Sequence, residues 1–424
     1  TTGVANTLIG ALAGDALTDG GENVAIGTAA LTADTRGSHS TAIGRGALQV
    51  QNFTSATDTY NTAVGFQAGA AVTTGTSNTL VGSNAGDALT TGADNVAIGN
   101  FALSAEDGHG KNVAIGRDAL LVQNAGADGY NVAVGYDAGK SITTGIHNTL
   151  LGARTGDALT VGTYNVAVGD QSLSSDTQGS RSVAVGYGAL NGQNQSSAAD
   201  TYNIGIGYTA GNNMSTGKAN TLIGGQVASS GTISGDNNTV MGYAAGLDLS
   251  SGGNNLLLGH DAGRAASPAG NQTTGSNTIC LGDDNIGDFF CADTSISSSD
   301  SRDKADITDF NIGLNWVKDL RPITYKWDKR SWYGTEEEPL GTPDGSKKSS
   351  KVHIGFVAQE VLEIEKANGF ADSADTMLTC NITEDGQRYG MKYERLVPVL
   401  VNAIKELSAK NDALEARIKK LEDG

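Results

Sequence analysis

One pentapeptide recurs along the first two-thirds of the chain, with Asn or Ser first, Gly last, and three residues between them drawn mostly from Val, Thr, Ala, Leu and Ile. Asn6-Thr-Leu-Ile-Gly10, Asn23-Val-Ala-Ile-Gly27, Asn61-Thr-Ala-Val-Gly65, Asn112-Val-Ala-Ile-Gly116, Asn165-Val-Ala-Val-Gly169 and Asn255-Leu-Leu-Leu-Gly259 are examples. The units begin at 6, 23, 40, 61, 78, 95, 112, 131, 148, 165, 182, 203, 220, 238 and 255, so most steps are 17 residues. A fixed step of that size is the signature of a solenoid, in which each coil buries its apolar face only by stacking on the next. A longer period lies above it. The Asn-Thr-Leu units start at 6, 78, 148 and 220, and a polar stretch ending in Tyr60, Tyr130 or Tyr202 precedes the units at 61, 131 and 203. Four rungs therefore make one module, and each module extrudes one longer loop.

Five residues of this kind favour a short strand closed by a turn. Side chains alternate along a strand, so the second and fourth positions share one face and the third takes the other. Both faces are apolar, which predicts burial on both sides and leaves one surface uncovered on a roll made by a single chain. The third residue is mostly small (Ala25, Ala42, Ala97, Ala114, Gly205), which we read as close approach by a neighbouring chain, with threefold symmetry the economical arrangement. The recurrent glycines are expected at turns that need positive φ or a close backbone pass. The Asn-Val-Ala-Ile-Gly unit is similar to the head repeat of trimeric autotransporter adhesins, although the period here is longer. That resemblance implies a trimeric β-roll over residues 6–282. The expected fold is mainly β: a trimeric parallel β-roll or solenoid of about 17-residue rungs, then an α+β domain ending in a trimeric coiled coil.

Composition separates the two parts. Trp316, Trp327 and Trp332 all follow the repeats. Residues 1–290 hold nine Lys and Arg against 22 Asp and Glu, a net charge of −13, and the remaining 134 residues hold 19 against 24, a net of −5. Phosphate contacts require clustered Lys and Arg, so an acidic body excludes non-specific nucleic-acid binding. Regular apolar positions argue for a fold rather than for acidic disorder. Cys280, Cys291 and Cys380 make no disulfide framework, lack metal-ligand spacing and read as ordinary thiols. No metal or cofactor is expected. No apolar run approaches the ~20 residues that span a bilayer, and no signal peptide is visible, so membrane insertion is not expected. The chain opens on Thr1, as a fragment or a processed form does.

Where the repeats end, residues 299–304 read Ser-Asp-Ser-Arg-Asp-Lys. A serine hydroxyl needs a base to become a nucleophile, and a lysine amine serves when burial or a neighbouring cation lowers its pKa. Ser299 and Lys304 lie five residues apart with Arg302 between them, positioned to depress Lys304 or to hold an oxyanion. The five histidines (His39, His109, His147, His260, His353) are scattered, which leaves a Ser-His-Asp triad without support. On composition alone, residues 295–301 also read as a flexible serine-rich linker. Downstream come Leu320-Arg321-Pro322-Ile323-Thr324-Tyr325-Lys326-Trp327, then His353-Ile354-Gly355-Phe356-Val357-Ala358-Gln359-Glu360-Val361, then Tyr393 and a terminal helix. The junction and these segments, in this order, resemble the S74-type intramolecular chaperones that end phage tail spikes, tail fibres and neck appendages and cut themselves off at a Ser-Asp-x-Arg-x-Lys motif. The resemblance implies that Ser299 is the nucleophile, that the Ser298–Ser299 bond is cut, that Lys304 is the base, and that Asp300 and Arg302 fill the motif's other fixed positions.

In the terminal helix Leu400, Ile404, Leu407, Asn411, Leu414, Ile418 and Leu421 alternate by four and three, a heptad seam with Asn411 at an a position that would fix register. A parallel trimeric coiled coil is expected, against the plainer alternative of a helix packed on its own domain. The expected domains are a β-roll body (1–290), a serine-rich junction (291–298), a chaperone domain (299–395) and a coiled-coil helix (396–424).

These features imply a structural tail-fibre or tailspike segment for host attachment, assembled in the host cytoplasm and carried on the virion. Its C-terminal chaperone would drive trimerisation and folding and then self-cleave in a single turnover. The expected partners are two further copies in a homotrimer, a host-surface receptor that is a polysaccharide or an outer-surface protein, and other virion tail proteins. Loops at residues 51–60, 123–130 and 193–202, with Tyr60, Tyr130 and Tyr202, are the candidate receptor contacts. Two alternatives stand beside this reading. A polysaccharide-degrading tailspike would need paired carboxylates, whereas Asp15, Asp87 and Asp157 recur once per module as scaffold residues do. A bacterial trimeric surface adhesin would need an anchor, and none is visible after the repeats.

Overall fold

A computed structural model describes residues 3–286, 301–335, 338–383 and 385–424. The chain divides into two compact units, Thr1–Arg264 with Gln272–Leu281, and Ala265–Asn271 with Gly282–Gly424. No helix among the described residues is long and apolar enough to cross a membrane.

The first unit is a parallel β-solenoid whose main sheet takes one strand from each coil, with two short side pairs, Gly37–Ser38 with Thr57–Asp58 and Gly179–Ser180 with Ala199–Asp200. Three-residue strands from Thr7–Ile9 to Ile279–Leu281 form a single 16-stranded sheet in chain order. Third residue pairs with third residue throughout, as in Ala25 with Ala42 and Leu257 with Cys280. The last of these rungs has Thr278 in the asparagine position and follows its predecessor by 23 residues, so the asparagine spacing alone does not reveal it.

The third residue points into the coil of its own chain. Ala25, Ala42, Ala97 and Ala114 are completely buried, and a Cβ on Gly205 would lie 2.6 Å from Leu190 Cγ. Small size here answers to interior space, which corrects the expectation that it admits a neighbouring chain. The second and fourth positions face outward and are partly exposed, with Val132 at 37% and Leu151 at 47%, the uncovered apolar surface expected of a roll made by one chain.

Interior packing also accounts for the four-rung period. Leu80 and Leu150 are third residues of Asn-Thr-Leu units, and both are fully buried. A Cβ on Gly69 would come within 2.6 Å of Leu80 and one on Gly139 within 2.8 Å of Leu150, so the adjoining turns must yield space to each leucine. On the rungs of Ala25, Ala42, Ala97 and Ala114 the turn supplies the bulk through Leu31, Leu48, Leu103 and Leu120. Large and small alternate so that the coil stays filled at native density.

The opening asparagine joins neighbouring coils. Asn131 Oδ1 accepts the backbone N–H of Asn148 at 2.8 Å, while Asn131 Nδ2 donates to the Gly145 carbonyl at 2.9 Å. Asn148 repeats both bonds with Asn165 and Gly162. A side chain with one donor end and one acceptor end satisfies buried backbone on two rungs, which explains why Asn recurs at this position. The closing glycine is demanded by geometry: Gly65 has φ +144°, and a Cβ there would sit 2.3 Å from the Gly82 carbonyl oxygen.

The second unit is α+β. Helix α1 (Leu314–Asp319) carries the buried Trp316, α2 (Ala358–Ala367) lies between two antiparallel strand pairs in chain order, and α3 (Leu396–Glu422) closes the chain. The pairs are Ile323–Tyr325 with His353–Gly355 and Cys380–Ile382 with Tyr389–Met391. Val361, Leu362, Ala371 and Cys380 form the core, flanked by Leu320, Phe356, Met377 and Met391.

Candidate functional site

The junction enters the described residues at Ser301. Ser298, Ser299 and Asp300, together with Cys291, lie outside them. Ser301–Asp303 form a single 3₁₀ turn, after which the Lys304 N–H donates to the Ser301 carbonyl at 3.4 Å. Arg302 and Lys304 are both exposed.

The downstream motif segments converge on one another. Arg321 makes a two-pronged ion pair with Glu360, its Nε 3.0 Å from Oε2, and each group holds the other charged by hydrogen bonding. Tyr325 stacks on His353 at 5.4 Å, and Trp327 meets the Tyr325 ring edge-on at 5.1 Å. A Cβ on Gly355 would lie 2.5 Å from the Tyr393 hydroxyl, which accepts the Phe356 N–H at 3.3 Å. The glycine in Ile354-Gly355-Phe356 is thus the opening through which Tyr393 reaches the strand pair.

The same unit depends on a residue that no sequence motif marks. Glu365 is fully buried, and its carboxylate accepts N–H bonds from Leu378 (3.0 Å), Thr379 (2.6 Å) and Cys380 (3.0 Å). It ties α2 to the turn that enters the second strand pair. A lone glutamate on the inward face of an amphipathic helix is the one signal of it in the sequence. Burial, with the Glu365 charge beside it, pushes the Cys380 thiol up to about 11, in keeping with an inert thiol.

The heptad positions of α3 face away from the unit's own core. Leu400, Ile404, Leu407, Leu414, Ile418 and Leu421 are 44–76% exposed, and Asn411, also exposed, donates to Glu415 at 2.9 Å. The helix packs on its own unit through different residues: Leu396, Val399 and Ala403 are buried, and Asn402 donates to the Ile312 carbonyl at 3.3 Å.

On the solenoid, Tyr60, Tyr130 and Tyr202 are 59%, 47% and 56% exposed. Residues just before six successive units form a continuous column: Lys111 over Tyr130 (5.2 Å), Tyr130 on His147 (5.0 Å), His147 on Tyr164 (4.9 Å), and Arg181 between Tyr164 (5.2 Å) and Tyr202 (5.9 Å). The loops that precede the three tyrosines are anchored by glutamines. Gln51, Gln123 and Gln193 are buried, and Gln193 Nε2 donates to Ser182 Oγ (3.0 Å) while its Oε1 accepts from Asn203 (2.8 Å). Gln193 thereby bridges the rung where serine replaces asparagine, and Gln51 does the same at Ser40. Of the recurrent aspartates, Asp87 accepts from Ser104 at 2.7 Å and Asp157 from Ser174 at 2.8 Å, both on the adjoining rung. Four rungs, roughly 19 Å at ~4.8 Å per strand, separate the two, too far for the paired carboxylates of glycoside hydrolysis.

Residues 299–371 match the family model described as Chaperone of endosialidase, Peptidase S74. Neither a curated protein nor a solved structure matches the chain. The match opens on Ser299, the first residue of the junction motif, and spans α1, the first strand pair and α2. The C-terminal module of this chain is therefore a chaperone-of-endosialidase domain of the Peptidase S74 family, carried behind a long parallel β-solenoid.

Proposed function

We propose that the chain is a segment of a phage tail fibre or tailspike, a homotrimer that binds a host-surface receptor and joins other virion tail proteins. Its C-terminal module trimerises the chain in the host cytoplasm, guides folding and then releases itself. The observation that carries this reading is the family match beginning at Ser299, immediately behind a solenoid of near-identical rungs. Such rungs create many slipped pairings of similar energy, and non-local parallel pairing is slow. A trimeriser that aligns three C-termini first selects one register. The exposed seam of α3 supplies an apolar surface for that contact.

In the proposed release, Ser299 Oγ attacks the carbonyl carbon of Ser298, and neutral Lys304 takes the hydroxyl proton and passes it to the Ser299 nitrogen as the C–N bond breaks. Water then hydrolyses the resulting ester, which frees the Ser298 carboxylate and the Ser299 hydroxyl. Arg302 stabilises the oxyanion, and Asp300 fills the motif's other fixed position. Because Lys304 is exposed in the single chain, desolvation has to come from assembly, which couples cleavage to trimerisation. The column around Tyr130 and Tyr202, with Tyr60, is the proposed receptor surface.

Intact mass and denaturing gels on wild type beside Ser299→Ala test this. A wild-type split with a new N-terminus at Ser299, absent in the variant, supports the assignment. Wild type that stays whole after the trimer has formed removes the catalytic roles of Ser299 and Lys304. Paired substitutions Leu407→Asp and Leu414→Asp should abolish both trimer and cleavage, and cleavage at an unchanged rate in the resulting monomer would break the coupling.

A further inference from the structure

Three modules of the solenoid carry the long loop and are close copies, and one turn in the middle of these departs from the other two. In the first module Asp34 is buried and fully partnered: Oδ1 accepts the N–H groups of Arg36 (3.2 Å) and Gly37 (2.9 Å), and Oδ2 accepts Gln51 Nε2 at 2.7 Å. Asp176 repeats this in the third module with Gln178, Gly179 and Gln193. In the middle module the corresponding turn reads Glu106-Asp107-Gly108-His109, with Glu106 in the aspartate's place and His109 in that of Gly37 and Gly179.

These two changes belong together. A Cβ on Gly37 would stand 2.1 Å from the Asp34 carboxylate, so a histidine there excludes the short acid, and the extra methylene of Glu106 carries the carboxylate elsewhere. Gln51 and Gln193 each donate both to the acid and to the serine that opens the next rung, whereas Gln123 Nε2 keeps only the counterpart of the second bond, to Asn112 at 3.1 Å. Glu106 is completely buried, yet only Oε1 finds a donor, the His109 N–H at 3.2 Å, and Oε2 has none. The buried Nδ1 of His109 is also without a hydrogen bond and lies 3.5 Å from Glu106 Oε1. Asp107 adds an exposed carboxylate, and ligand atoms from all three residues fall within 4.8 Å of one another. A fully buried carboxylate with one unpartnered oxygen is costly, and a cation beside it would offset that cost.

We propose that Glu106, Asp107 and His109 bind a divalent cation of the zinc class in the turn between the rungs that open on Asn95 and Asn112. One imidazole nitrogen with two carboxylates suits zinc and its first-row neighbours, whereas calcium and magnesium take oxygen ligands. The exposed Asp107 and half-buried His109 leave room for solvent to complete the coordination and for the ion to enter. The ion would cross-link the one module turn that lacks the glutamine contact. This site is independent of the proposed self-cleavage.

The test uses the full chain, stripped with a chelator and titrated with zinc chloride by calorimetry, with cobalt absorption reporting nitrogen and oxygen ligation. The expected result is one ion per chain, weakened about 100-fold or more by Glu106→Gln or His109→Ala and unchanged by His39→Ala. Folding is controlled by the double variant Glu106→Asp with His109→Gly, which rebuilds the turn of the sister modules and should keep the wild-type circular dichroism while losing the ion. Zinc bound equally well by the rebuilt variant, or no binding by wild type above that variant, would overturn the proposal and leave Glu106 and His109 as a buried polar pair only.

Discussion

The solenoid and the C-terminal module bury polar groups in opposite ways. In the solenoid, Asn131 and Asn148 make the same pair of bonds, one on each of two rungs, so satisfaction is distributed and each rung depends only on its neighbours. In the module, Glu365 alone holds three consecutive N–H groups, and Gly355 alone admits Tyr393. A repeated solution tolerates local damage and carries little information about register. A set of contacts made once carries that information and fails as a whole. The pairing of the two in one chain is what would make the proposed folding guide useful to the body.

The comparison breaks most sharply at Glu365. Glu365→Ala leaves the Leu378, Thr379 and Cys380 N–H groups buried without partners, at a cost on the order of 3–5 kcal/mol. All three Trp lie in the module, so tryptophan fluorescence in denaturant should show its transition moving while the far-ultraviolet transition of the solenoid stays. At pH 8 the Cys380 thiol, pushed up to about 11, should label with iodoacetamide only when the module opens, and so should become reactive in this variant. Loss of the solenoid's transition at the same denaturant concentration would show that the regions are not independent.

Leu150→Ala should cost about 2–4 kcal/mol through the cavity left between Gly139 and Gly156, with hydrogen exchange accelerated only in the adjoining rungs. Gln193→Ala should cost about 1–3 kcal/mol, because Ser182, Asn203 and Asp176 each lose a buried partner, and Ser182→Asn in that background should recover part of it by restoring the asparagine ladder. The smallest effect is expected at the surface. Tyr130→Ala should change stability by less than ~1 kcal/mol, since the ring is half-exposed, while removing the proposed receptor contact measured by binding to host cells.

Much of the body is legible in residue spacing alone. The interval from Asn6 to Asn23 and onward counts the rungs, and three β-branched or small residues before a glycine make a strand and a turn. Which face of the strand is interior is not legible, because alternation separates Ala25 from Val24 and Ile26 without saying which side is enclosed. The glutamines are visible as the starts of polar stretches, but their role depends on Ser40 and Ser182, whose missing carboxamides matter only when the rungs are stacked. In the module, Arg321 and Glu360 stand in two recognisable segments 39 residues apart, and nothing local predicts that they pair. The heptad seam of α3 is readable from spacing, while its division from the buried stripe of Leu396, Val399 and Ala403 comes from packing.

The length of the rung, the strand it carries and the motif at Ser299 where the family match begins all follow from the order of residues, since periodicity and a short motif are properties of the chain alone. Other features exist only once the coils are stacked: the small residues line the inside, one asparagine serves two rungs, and Gln193 bridges Ser182 and Asn203. Those outcomes depend on which residues lie one coil apart. Stacking brings together positions that sit 17 or more residues apart in the chain, and burial then makes each unpaired donor or acceptor count.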